Sequence, residues 1–421
     1  MPEPYDLLLT GGEVLDPGGG QRGRLDVAIR GGLIADVGPA LPRHAHETVD
    51  VTGDLVLPGL VDLHTHIYPG AGYWGIDPDP SAWHTGVTTW VDAGSAGAYT
   101  VAGLRDFAAS RRVRVHALLN IAGQGLSART GEGVDLANCD VEQAVWAIRE
   151  HRDLVRGVKV RIDRDTVGDN GVEPLRRALA AAAECGVPVM VHIGTTPPAL
   201  AEVLEMLRPG DILTHCASGI AQPTGPEARA AHERGVLFDV GHGSGAFAFD
   251  VAEAQLADGM PPHTISTDLH ARSVYGPVFD LPTTMAKLIA AGLPLDEVVA
   301  SVTIRPARAL GLQAGTLARG SPADVAVFTL DERPQELTDA HRQTRTVPFR
   351  LVNRHTYVGG RRLSPALPAP PPPWVPLTAE QTTALREREN AVRDLLATPL
   401  VGVDGLAEQF PRPLPVLDKE S

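Results

Sequence analysis

The chain has 421 residues, with 37 Lys and Arg against 51 Asp and Glu, for a formal charge of −14. That acidity excludes a nucleic-acid polyanion as partner, because no basic excess exists to displace phosphate counterions. A content of 43% hydrophobic and 21% charged residues excludes a disordered chain, and three scattered cysteines (Cys139, Cys185, Cys216) exclude a disulfide framework.

Neither a basic, apolar leader nor a run of about 18 apolar residues occurs, so a soluble cytoplasmic protein without membrane contact is expected. The first 57 residues alternate apolar and polar positions and break at Gly pairs, which predicts short strands and no helix before about residue 80. From 61 onward eight strand-like runs recur at 61–66, 88–94, 114–123, 155–162, 188–194, 211–217, 235–243 and 263–268. Helical stretches at 141–155, 173–186 and 198–210 fall between them, and one at 281–294 follows the last.

Strands alternating with helices imply parallel pairing. The spacing from His64 to Asp268 averages about 29 residues per step, close to the roughly 31 of a (β/α)8 TIM barrel. After a helix at 300–312, the strand-like runs 316–330 and 349–363 predict that both chain ends build one small β-sandwich domain. The expected division is 1–57 with 311–363 for that domain, 58–310 for the barrel, and 364–421 for a polyproline spacer (365–374) and a helical tail (378–397).

Asp62, His64 and His66 occupy alternate positions of one strand and should share a face, where paired imidazoles suit a metal ion. Lys159, His192, His215 and Asp268 lie near the C-terminal ends of later strands, the end at which barrel active sites are built. A bare ammonium at Lys159 would be repelled by cations and costly to bury. CO2-derived carbamylation would turn it into an anionic bridging carboxylate. Arg161, two residues after Lys159, and Arg272 in the last loop are candidates to bind a substrate carboxylate. Tyr68, Ser95, Asn120, His116, His242 and His270 are further pocket candidates, and Cys216 is read as packing.

At these residues the sequence resembles the amidohydrolase superfamily, in its binuclear, carboxylated-lysine branch. The resemblance implies His64, His66 and Asp268 on a more buried metal, His192 and His215 on a second, and carboxylated Lys159 between them. Two Zn²⁺ ions suit this nitrogen and oxygen set, with other divalent metals open. It also implies a metal-bridging hydroxide as nucleophile, with Asp268 as general base and then acid. His66 is followed by Ile67-Tyr68 where dihydroorotases carry an arginine. The runs GVTTWVDAGSAG, GVKVR and Gly241-His242-Gly243 are instead similar to the amidohydrolase/deacetylase group. The implied activity is deacetylation of a small N- or O-acetylated carboxylic acid. The alternative is a cyclic amidase, hydantoinase- or dihydroorotase-like, opening an imide or dihydropyrimidine ring. A barrel that has lost turnover and serves in assembly is the competing non-enzymatic reading, and the complete ligand set argues against it. A homo-oligomer is compatible with the resemblance.

Overall fold

A computed structural model describes residues 3–72, 74–128, 130–367, 374–375 and 377–397. Most of the expected polyproline spacer, 368–373, lies outside the described residues, as does 398–421.

Seven parallel strands run in sequence order around a curled sheet, from Leu60–Thr65 through Val87–Gly97, Arg114–Asn120, Val155–Ile162, Val189–Ile193 and Ile212–Thr214 to Leu237–Asp239. Leu63, Val91, Ala93, Leu118, Met190 and Ile212 form one buried cluster contributed by five of these strands, as expected of a filled barrel. The eighth expected strand, 263–268, forms no continuous ladder and is joined by isolated bridges, Asp239 with Thr264 and, just beyond it, Thr65 with Leu269. It still closes the cylinder. Val240 and His242 donate to Thr264 and Ser266 on one side, and Asp268 N–H donates to His64 C=O on the other.

The ladder is interrupted for a physical reason. The Asp62 carboxylate accepts both the Thr267 N–H (3.0 Å) and the Thr267 hydroxyl (2.6 Å), replacing main-chain partners. Asp62 therefore does not join His64 and His66 on a common ligand face, as its spacing predicted. Burial pushes its carboxyl up to about 7, and it serves as a clamp between the first and last barrel segments.

The helices fall where the apolar periodicity places them. Glu173–Cys185 ends at Gly186 in the left-handed conformation (φ 67°), a conformation glycine adopts without a Cβ clash. The helix expected at 300–312 is two short ones, Leu295–Ser301 and Ile304–Ala309. Strands from both ends of the chain share a second sheet, in which Leu55–Pro58 pairs antiparallel with Val325–Asp331 and parallel with Tyr5–Asp16. That sheet has its own core, including Leu9, Val27, Ile29, Val325 and Tyr357. The hairpin Gln335–Thr338 with Thr344–Val347 stands apart and was not expected. The tail helix is Ala379–Ala397. Among the described residues no helix is long and apolar enough to cross a membrane.

Candidate metal centre and active site

The register between the first strand and the closing segment brings three side chains together. His66 Nε2 lies 3.0 Å from Asp268 Oδ1 and His64 Nε2 lies 3.4 Å from it. Their donor atoms all fall within 4.8 Å of one another. Asp268 holds a left-handed backbone (φ 51°), as does His215 (φ 63°). Non-glycine residues occupy that region at a cost, and such positions cluster at functional sites.

Lys159 enters the same centre from the fourth strand. It is 1% exposed, and its Nζ stands 3.1 Å from His64 Nε2 and 3.3 Å from Met190 Sδ. Gly94 makes room for it, because a Cβ there would sit 2.6 Å from Lys159 Cγ, and Gly94 also carries φ +85°. Burial, partly offset by the Asp268 charge, pushes the Lys159 amine down to about 7. It forms no ion pair among the described residues. His192 and His215 complete the cluster. Their rings are 4.6 Å apart, and the His215 ring is 5.3 Å from that of His64.

The outer partners decide which nitrogen of each ring is bare. The Thr214 hydroxyl donates to Asp239, whose carboxylate also accepts hydrogen bonds from the Thr264 and Ser266 hydroxyls. Thr214 must therefore accept from His64 Nδ1–H (2.8 Å), leaving Nε2 as a lone pair. His215 Nδ1–H donates to the Gly241 carbonyl, so its Nε2 is also bare, and that buried atom has no hydrogen-bond partner. His192 Nε2–H donates to Asp163 (2.9 Å), leaving Nδ1 bare. Burial holds the rings neutral: it pushes His215 down to about 3 and His64 well below its usual range. Burial works against the charge on Asp163, but the His192 hydrogen bond and the Arg161 charge outweigh it and hold that carboxyl at about 2. Neutral imidazoles with outward N–H groups and inward lone pairs are chemically suited to a cation.

A cavity of about 250 Å³ opens over this centre, and Arg161, His192, His215, Asp268, His270 and Arg272 line it with Trp74 and others. Arg161 is committed to a partner already. Its Nη1 is 3.2 Å from the buried Glu132 carboxylate, and its guanidinium lies 5.6 Å from the Trp74 ring centre. Arg272 is exposed at the lip. His270 lies against Trp74, with ring centres 5.3 Å apart.

Five other sequence candidates do not line the cavity. Ser95 Oγ bonds His66 Nδ1 (2.9 Å), and Asp92 accepts the N–H groups of both Ser95 and Ile67. Asn120 braces Gly94 C=O and Ala122 N–H, and Tyr68 donates to Thr100 C=O. His242 has both ring nitrogens engaged, by the Gly243 carbonyl and by the buried amine of Lys287. His116 sits near Arg114 and Arg156, away from the cluster. Sequence reasoning missed Trp74, Glu132, Asp163, Thr214 and Asp239. Only Asp239, at the end of the seventh strand, carried a signal that could have found it.

The amidohydrolase family model matches residues 55–363. A deacetylase of Enterococcus faecalis is 37% identical, over 85% of this chain and 98% of its own length. A deacetylase of Agrobacterium fabrum is 36% identical, over 85% and 91%. Two solved structures, one described as an adenine deaminase and one as a dihydroorotase, are each 36% identical with a TM-score of 0.80. Each match covers 85% of this chain and 99% of the other.

Proposed function

The chain belongs to the amidohydrolase family, and within it we propose a metal-dependent deacetylase of small N- or O-acetylated carboxylic acids. The observation that carries the proposal is the convergence of bare imidazole nitrogens on His64, His192 and His215 with Lys159 and Asp268 beneath one cavity. His64, His66 and Asp268 would hold one divalent ion, and His192 and His215 a second. Lys159, carboxylated by CO2, would join them. Two Zn²⁺ ions fit the donor set of nitrogens and carboxylate oxygens. When bound, such a pair supplies Lewis acidity and water that ionises near neutral pH.

The protein's own groups do the rest. Asp268 would take a proton on its carboxylate and return it to the departing nitrogen or oxygen. Arg272 would bind the substrate carboxylate, while Arg161, Glu132 and Trp74 form a fixed wall. Arg272→Ala is expected to raise KM at least about tenfold for acidic substrates with kcat nearly constant, the pattern of lost uniform binding. Initial-rate kinetics check it, and an unchanged KM removes Arg272 from the site. Thr214→Val removes the group that orients His64. It should weaken zinc binding by about 10–100-fold in chelator competition, whereas wild-type affinity would show the relay to be idle.

The reading is tested by assaying acetate release from acetylated α-hydroxy and α-amino acids. Ring opening of dihydroorotate and hydantoins is run alongside. Acetate release alone supports deacetylation; ring opening alone replaces it with the cyclic-amidase alternative. The division at 57/58, 310/311 and 363/364 belongs to the same proposal. So does cytoplasmic residence, which the three unpaired cysteines favour.

A further inference from the structure

A cavity larger than the one over the metal centre lies beside it. About 680 Å³ lies between the loops that follow the first and last barrel segments and the tail helix Ala379–Ala397. The volume is in the range of small-molecule sites. The family match ends at 363, and the Enterococcus relative is covered over 98% of its length by 85% of this chain, so the helix that roofs the cavity lies beyond the family core.

The walls are mostly apolar. Ile76, Trp83 and Tyr275 face Leu385, Val392 and Leu395 of the helix. Leu395 is 53% exposed and Trp374, at the same cavity, is 57% exposed, so two large apolar side chains stand open to solvent beside it. The charges that line it are unequal in status. Asp77 is paired with Arg111. Arg388, half-buried on the helix, forms no ion pair among the described residues; its charge is felt by His84 and Tyr275. A cation withdrawn from water without a carboxylate is unfavourable unless something anionic joins it.

A thin wall separates this cavity from the candidate active site. Ile76 and Ala271 face the tail side, while Trp74, His270 and Arg272 face the metal centre. The wall is stitched by Ile76 N–H to His66 C=O (3.0 Å) and by Ala271 N–H to Trp74 C=O (2.9 Å). The two chambers are therefore back to back, and the larger one is a separate site.

We propose that the tail helix and the barrel mouth form a second binding site for an amphipathic monocarboxylic acid, with the apolar body among Trp83, Tyr275, Leu385 and Val392 and the carboxylate on Arg388. Charge complementarity selects an anion over a neutral lipid, and the apolar walls select an extended hydrocarbon or aryl body over a small polar acid.

Calorimetric titration of the full chain with sodium decanoate and, separately, 1-decanol tests this. Saturable binding of decanoate at one site per chain is expected. Arg388→Gln should weaken decanoate by about tenfold or more, the loss of a charge-assisted contact, and leave 1-decanol within about twofold. Val392→Trp fills the chamber and should abolish binding of both, with far-UV circular dichroism of both variants unchanged. Absence of saturable decanoate binding to the unaltered chain overturns the proposal. So does binding that both variants retain in full, because the acid would then sit elsewhere, as in the smaller chamber over the metal centre.

Discussion

Asp268→Asn is expected to lower kcat by about 10²–10⁴-fold with little change in KM, the range over which a positioned proton carrier accelerates a reaction. The substitution isolates proton transfer because almost everything else is preserved. Asparagine is one of the few residues at ease in the left-handed conformation that Asp268 adopts (φ 51°). The main-chain bond from residue 268 N–H to His64 C=O is indifferent to the side chain. What changes is the charge. Burial opposes ionisation of Asp268, but the facing imidazoles, His64 and His66 foremost, outweigh it and hold the carboxyl well below its ordinary range. An amide of the same shape takes no proton. The check is steady-state kinetics on the deacetylation substrate together with metal analysis of the variant. A variant that keeps its metal and more than about a tenth of wild-type kcat would remove Asp268 as the proton carrier.

The barrel and its ligand-type residues were legible because both rest on local periodicity. Alternation marks a strand, and a histidine or aspartate at its C-terminal end lands at one mouth of the cylinder whichever helix follows. Asp62 shows the limit of that logic. Spacing placed it with His64 and His66, but closure of the barrel brought Thr267 alongside and took the carboxylate for its own ladder. The outer partners were illegible for the same reason. Thr214 and Asp239 meet only through the parallel register of Ile212–Thr214 with Leu237–Asp239, and Glu132 reaches Arg161 from a loop with no periodic signal at all. Among the substrate candidates, residue type pointed equally to Arg161 and Arg272. Only packing showed that Arg161 has a buried carboxylate and an indole already in hand. The tail helix was visible as a helix, but nothing in its sequence said which surface it would cover.

Lys159→Met should divide activity from stability, and in opposite directions. Methionine matches the buried stem but carries neither amine nor carbamate, so turnover is expected to fall to background. Stability of the metal-stripped, uncarboxylated protein should rise. The folded state holds the Lys159 amine at about 7 against 10.5 in the open chain, so the unfolded state binds the extra proton between those values. The resulting destabilisation is fully present below pH 7, shrinks as pH climbs toward 10.5, and is absent above it. At about 1.4 kcal/mol per unit, the wild-type lysine costs several kcal/mol at pH 6. Urea unfolding of the stripped wild type and variant at pH 6 and again near pH 10.5 reads the difference directly. The variant should be the more stable by several kcal/mol at the lower pH and nearly level at the higher. Equal stability at pH 6 would mean that Lys159 already has an anionic partner in the stripped protein, and the reason for carboxylating it would disappear.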